Sequence, residues 1–253
     1  MSDGVLDRLA PRLRALTPAR VGLARTGVSQ QLRDVLAFQQ AHAMARDAVD
    51  AALDARGLAA EIESSIRPEV VRLRSAAVNR AEYLQRPDLG RRLNEASRAL
   101  LEEQPGNEVD VALVIADGLS ALAVERHVPP LLRELLPRLA SWRLAPIAIV
   151  EQGRVAIGDE IGEALGARIA AVFIGERPGL SSPDSLGAYI TWMPLRGRTD
   201  AERVCISNIR AEGLGYDEAA AQIGQALQSA RRLRMTGVPL RPQLEPARQG
   251  DEA

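Results

Sequence analysis

The second half of the chain is built on two alternating hydrophobic rhythms. "VDVALVIA" (109–116), "APIAIV" (145–150) and "RIAAVFIG" (168–175) are short, nearly continuous apolar runs. The first two are separated by a helical stretch through "PPLLRELLPRLASW", and the last two by "GDEIGEALGA", with Asp159 near the helix start. Such strands alternating with helices predict βαβ units and a parallel sheet covered on both faces. Further on, "YDEAAAQIGQALQSARRLR" sets Ala219, Ile223, Ala226, Ala230 and Leu233 on one stripe, predicting a covering helix. The expected fold class is α/β: a Rossmann-like, mostly parallel sheet with flanking helices, preceded by a helical N-terminal region.

That N-terminal region has a different pattern. Residues 1 to about 20 alternate Arg with Leu around two prolines and predict a loosely attached arm. "RVGLARTGVS" (20–29) predicts a loop, with Ser29 as N-cap of a long helix that Gly57 ends. Its stripe is Leu32, Val35, Leu36, Gln39, Ala43, Val49 and Leu53. The following segment is expected to be helical in pieces, broken at Pro68 and Pro87. "EEQPGNE" (102–108) is the most linker-like stretch, which divides the chain into a helical region, 1–105, and an α/β domain, 106–253. The tail from Thr236 is expected to fray.

Each predicted strand runs into a polar, Gly-bearing loop: "DGLS" (117–120), "EQGRV" (151–155) and "ERPGLSS" (176–182). Ligands of open α/β sheets sit outside the carboxyl ends of the strands, so these loops line one candidate edge. No G-x-G-x-x-G follows a strand, and the glycines of "GDEIGEALG" are spaced for close helix packing instead. "DGLSALA" is not G-x-S-x-G, and no histidine is clearly placed to serve Ser120. Glu176 reads either as a general acid or base or as a loop hydrogen-bond acceptor. Cys205 reads as a nucleophile or, more commonly for its "VCI" setting, as a buried apolar side chain. His42 reads as an interfacial histidine and His127 as lying at a helix edge.

Composition removes most other chemistry. The chain has 253 residues, 46% hydrophobic and 26% charged, as in ordinary globular proteins. A formal net charge of -1 and 3% aromatics give no basis for a nucleic-acid surface. No apolar stretch reaches the roughly 18 residues of a membrane span, and the N-terminus shows no signal-peptide core. Every basic residue is arginine, which excludes a Schiff-base or P-loop lysine. One cysteine and two histidines are too few for a usual zinc site and fit a reducing cytoplasm. From these residues alone the chain is an α/β domain that binds a ligand on a loop edge, with little catalytic equipment of its own.

Five blocks in order, "LAFQQAHAMARDAV", "EYLQRPDLGRRL", "VIADGLS", "GERPGLSSPDSLGAY" and "DAERVCISNIRAEGL", resemble the small subunit of ethanolamine ammonia-lyase. The resemblance spans nearly the whole chain. It implies an enzyme that uses adenosylcobalamin, a cobalt corrinoid, to convert ethanolamine to acetaldehyde and ammonia, and that works only with a large subunit in a higher hetero-oligomer. The large subunit would hold the substrate and contact the helical N-terminal region; the small subunit would help hold the cobalamin. It places the chain in the cytoplasm, free or inside a bacterial microcompartment. Carried over residue by residue, the cobalamin contacts match Val155 in "GRVAI", Glu176 in "GERPGL" and Cys205 in "CISNI", with no catalytic or metal-ligating residue on this chain. Glu176 would accept from corrin amides, and the glycines at 153, 175 and 179 would let backbone approach the ring. Arg177 and Asn208 are suspected neighbours. Neither histidine sits in D-x-H-x-x-G, so the dimethylbenzimidazole base is expected to stay on cobalt. The alternative is a structural or regulatory partner subunit without cofactor contact.

Overall fold

A computed structural model of the chain describes residues 3–17, 19–66, 68–103 and 109–237. Most of the linker-like stretch and of the C-terminal tail therefore lies outside the described residues. Thr236 itself is anchored: its hydroxyl accepts from the Trp192 N–H at 2.9 Å and donates to the Glu202 carbonyl at 2.6 Å.

The N-terminal region departs from its predicted boundaries. The expected arm contains a helix, α1 (Asp3–Leu16), which carries Pro11 inside it. A two-residue hairpin, β1 (Arg25–Thr26) and β2 (Ser29–Gln30), turns at Gly27 with φ of 64° where a plain loop was expected. Ser29 is committed to that hairpin, so it does not cap α2 (Leu32–Asp50); extended Gln31 precedes the helix with no side-chain bond. Gly57 does not end α2. It lies in the first turn of α3 (Ala55–Ile66), donating its N–H to the Asp54 carboxylate at 2.9 Å. Asp54 thus opens a new helix where the glycine signalled a stop.

Six strands form the main sheet, in the order β3 (Val70–Arg74), β5 (Ile147–Glu151), β4 (Val109–Ala116), β6 (Ala167–Gly175), β7 (Leu186–Trp192), β8 (Arg203–Ile209). The first three pairings are parallel and the last two antiparallel. The fold is therefore α/β with flanking helices, as expected, and its sheet is parallel on one side and antiparallel on the other. Three strands of this sheet, β3, β7 and β8, went unforeseen. β3 belongs to a segment expected to be helical, yet Val71 and Leu73 point inward while Arg72 and Arg74 stay exposed, the period-2 pattern of an edge strand.

Alternation along each central strand feeds two cores. Leu113, Ile115, Ile149 and Phe173 pack with α3, α6 (Ala121–Leu135) and α8 (Tyr216–Leu233). Val114, Ala116, Val150, Val172 and Ile174 pack with α5 (Glu95–Glu102) and α7 (Ile157–Ala164) on the other face. On this second face β7 and β8 run beyond the cover of α7, leaving Tyr189 and Cys205 only half-buried. His127 lies inside α6, buried, not at a helix edge; its Nδ1 meets the Tyr216 hydroxyl at 3.0 Å.

Candidate ligand site at the carboxyl edge of the sheet

The loops that follow β4, β5 and β6 converge on the carboxyl edge, and backbone packing locks them together. The Leu119 N–H donates to the Gly175 carbonyl at 2.9 Å. A Cβ on Gly175 would collide with the carbonyl oxygens of Asp117 and Ser120, so the close approach requires glycine. Gly179 carries no such constraint; no atom lies nearer than 3.7 Å to its missing Cβ. Ser120 caps α6 by accepting from the Ala123 N–H at 3.3 Å, and its hydroxyl donates to the Pro183 carbonyl at 3.0 Å. Those bonds make it a structural tie between loops.

Glu176 stands at the end of β6, half-buried. Its Oε2 accepts from the Ser185 hydroxyl and from the Asn208 N–H at 3.3 Å. Among the described residues no donor reaches Oε1, which lies over Gly187; a Cβ there would sit 2.9 Å from it. The glycine keeps the floor beside the carboxylate flat. A pocket of about 250 Å³ opens here, lined by Tyr83, Gly118, Val155, Glu176, Arg177 and Tyr189 among others. A second, of about 490 Å³, continues from it and shares Arg154, Val155 and Tyr189.

The structure thus brings Val155 and Glu176 to one pocket. Cys205 does not line it; it lies directly across the β7–β8 ladder from Tyr189, on the same face of the sheet. Burial first, then the hydrogen bond with Cys205, pushes the Tyr189 hydroxyl pKa well above its usual value. Of the suspected neighbours, Arg177 lines the pocket and Asn208 holds Glu176 through its backbone.

The sequence profile of the ethanolamine ammonia-lyase light chain family (EutC) matches residues 8–241. The ethanolamine ammonia-lyase small subunit of Pseudomonas putida is 54% identical over 239 residues, covering 92% of this chain and 87% of that one. That of Ralstonia nicotianae is 53% identical, covering 92% and 88%; that of Pseudomonas paraeruginosa is 52% identical over 238 residues, covering 92% and 87%. The chain belongs to the ethanolamine ammonia-lyase small-subunit family.

Beneath the pocket, this family member holds a polar cluster that strand patterns and motifs did not reveal. Asp117, fully buried, accepts from the Gly153 N–H at 2.9 Å and from Arg80 Nη1 at 3.2 Å. Arg80 also donates to the carbonyls of Gly118 at 2.9 Å and Val49 at 2.7 Å, and buried Tyr83 donates its hydroxyl to the Gly153 carbonyl at 3.0 Å. One network therefore ties α2, α4 (Arg80–Gln85) and the β4 and β5 loops. Only the polar start of "DGLS" hinted at Asp117; Arg80 lies 37 residues away in sequence. Gln152 and Asn208, both at this edge, hold left-handed backbone with φ of 59° and 61°, the kind of local strain that collects at ligand sites.

Burial pushes the Asp117 pKa up to about 6, against the opposing pull of Arg80 and the backbone N–H groups. With the folded pKa above the unfolded value of 3.8, the native state binds more protons between the two, so Asp117's contribution falls as pH rises through this window. The stability of the native chain relative to an Asp117→Asn variant is therefore expected to drop by about 2 kcal/mol between roughly pH 4.5 and 7.5. Urea unfolding of both proteins at each pH reads this; parallel pH profiles would contradict it.

His42 is exposed on α2 beside Phe38, with ring centroids 6.3 Å apart, and His127 packs in the core on the face away from the pocket. Among the described residues no three metal-ligating side chains cluster, and no helix is long and apolar enough to cross a membrane.

Proposed function

We propose that the chain forms one wall of the cobalamin site of an adenosylcobalamin-dependent ethanolamine ammonia-lyase and completes that site only with a large subunit. The observation that carries this reading is the meeting of Val155 and Glu176 at a shallow pocket on the strand ends, beside the flat floor at Gly187. The residues suit a corrinoid. A corrin is a broad apolar disc fringed with primary amides, and this surface offers apolar Val155 and the Tyr189 ring beside a carboxylate oxygen without a donor. When bound, adenosylcobalamin supplies the radical chemistry that turns ethanolamine into acetaldehyde and ammonia.

The chain's own part is placement. The Ser185 hydroxyl and Asn208 N–H fix Oε2 of Glu176, so that Oε1 is the oxygen that accepts from a corrin amide. Val155 and Cys205 give contact surface; Cys205 has no histidine beside it in sequence to raise its nucleophilicity. His42 and His127 both lie away from the pocket, so neither would be placed to ligate the metal of a cofactor bound there. Ethanolamine is held mainly by the large subunit. The N-terminal region, 1–105, meets that partner through its helices α1 and α2, where Leu9, Leu13, Leu16, Leu32, Leu36, Phe38 and Met44 are exposed. Residues 106–253 carry Val155, Glu176 and Cys205 of the cofactor wall, to which Tyr83 of the N-terminal region is added, and the assembly is cytoplasmic, free or inside a microcompartment.

Glu176→Gln tests the reading. Losing a charged acceptor is expected to cost on the order of 1.5–3 kcal/mol of cofactor binding to the two-subunit complex, with turnover at saturating cofactor little changed. Titration of the complex with adenosylcobalamin measures both. Unchanged affinity would favour a partner subunit that never touches the cofactor.

A further inference from the structure

The 490 Å³ pocket next to the proposed corrin surface carries positive charge that is only partly neutralised among the described residues. Arg91, Arg154 and Arg198 line it together with Asp200. Two of these four are already engaged: Arg198 with Glu202, and Asp200, which is largely exposed, with Arg203. Arg91 and Arg154 differ. Among the described residues no carboxylate or other acceptor takes a side-chain hydrogen bond from either.

Arg154 is also the more confined. Its guanidinium lies 4.3 Å from the centre of the Tyr83 ring, against which Arg80 packs at 4.9 Å, and its buried Nε has no hydrogen-bond partner. Its backbone N–H donates to the Gly90 carbonyl at 2.7 Å, and a Cβ on Gly90 would sit 2.9 Å from the Arg154 stem. Gly90 therefore presses Arg154 into place and puts Arg91 next in the chain beside the same opening. A positioned guanidinium with an unmet donor, a second unpaired guanidinium and a cavity between them is the donor set for a phosphate, which accepts charge-assisted bonds at several oxygens.

We propose that Arg91 and Arg154 form an anion subsite that takes the phosphodiester of the cofactor's nucleotide tail. The inference rests on the cobalamin reading of the neighbouring pocket, with which this one shares Arg154, Val155 and Tyr189. A ring lying over Val155 and Tyr189 has this cavity at its border, so one chain surface meets the amide rim with a carboxylate and the phosphate with arginines. The two contacts have opposite polarity and fix the cofactor's orientation on the wall.

Two corrinoids separate the possibilities: cyanocobalamin, which carries the phosphodiester, and dicyanocobinamide, which lacks the nucleotide tail. Each is titrated into the complex of this chain with its co-expressed large subunit. The Arg91→Met/Arg154→Met pair is expected to weaken cyanocobalamin by about tenfold or more and to leave dicyanocobinamide unchanged. Unchanged cobinamide binding also shows that the variant is folded. Arg91→Met alone, at an exposed position, is expected to act in the same direction and replaces the pair if the pair does not assemble. Equal weakening of both corrinoids, or no weakening of cyanocobalamin, overturns the subsite. If Glu176→Gln still weakens both corrinoids in that case, the cobalamin reading survives without it. If the unaltered complex binds neither corrinoid, the reading fails and the subsite with it.

Discussion

Arg203→Met is expected to lower the free energy of unfolding by about 3–5 kcal/mol, because it strands a carboxylate in a dry interior. Arg203 and Asp159 are 3% and 1% exposed, and Nη1 and Nη2 reach the two carboxylate oxygens of Asp159 at 2.7 Å each. The guanidinium also donates to the Thr191 hydroxyl at 2.7 Å and to the Arg198 carbonyl at 3.1 Å. One side chain thus joins α7 to β7 and β8 on the face where the candidate site opens. Removing it leaves Asp159 ionised without a partner or forces it to take a proton, and both are costly. The double variant Asp159→Leu/Arg203→Met removes both charges and is expected to recover most of the loss, since a buried pair seldom outperforms well-packed apolar groups. Equilibrium urea unfolding of the two proteins decides the cause: a double variant as unstable as the single one would place the loss in packing. Because Cys205 follows two residues after Arg203 and pairs with Tyr189, the single variant also loosens the site's outer border.

The parts of this fold that sequence displays are those in which one physical demand dominates. β4, β5 and β6 are buried on both faces, so their residues are apolar almost without interruption and their strand character is plain. β3, β7 and β8 satisfy mixed demands. β3 is an edge strand with arginines on alternate positions; β7 carries Gly187 and Tyr189 at the site; β8 contains Arg203, Cys205 and Asn208. The polar residues of β3 and β8, and the glycine in β7, interrupt the strand signal. Gly57 misled for a similar reason, since Asp54, three residues earlier, supplied a helix start that outweighed the glycine's tendency to stop one. At the candidate site, the loops that carry Val155 and Glu176 were legible because they follow strands directly, where fold rules already place ligands; Val155 itself was singled out only by the family resemblance. Arg80, Tyr83 and Asp117 were not, because their meeting is made by the return of α4 to the sheet edge, 37 residues before the β4 loop. Long-range polar contacts of this kind leave no local pattern.

The chain by itself is expected to show no turnover of ethanolamine and to bind cobalamin poorly, and co-expression with the large subunit is expected to restore both. Two lines of geometry carry this. The pockets hold about 250 and 490 Å³ and open along one sheet edge. Sites that bind tightly cover most of a ligand's surface, and a corrin with its nucleotide tail outgrows both, so a cofactor bound to this chain alone would keep one side in water. The reactive groups are engaged elsewhere or lack a base: Ser120 ties two loops, Glu176 is oriented by Ser185 and Asn208, and His127 is held in the opposite core against Tyr216. No lysine exists to form an imine with a carbonyl compound. The exposed leucines of α1 and α2 have apolar area that a partner surface would cover. Acetaldehyde formation from ethanolamine and adenosylcobalamin, assayed with the chain alone and with both subunits, measures the effect directly. Sustained turnover by the chain alone would show that a full site exists here, and would require the open edge to close by some rearrangement of these loops.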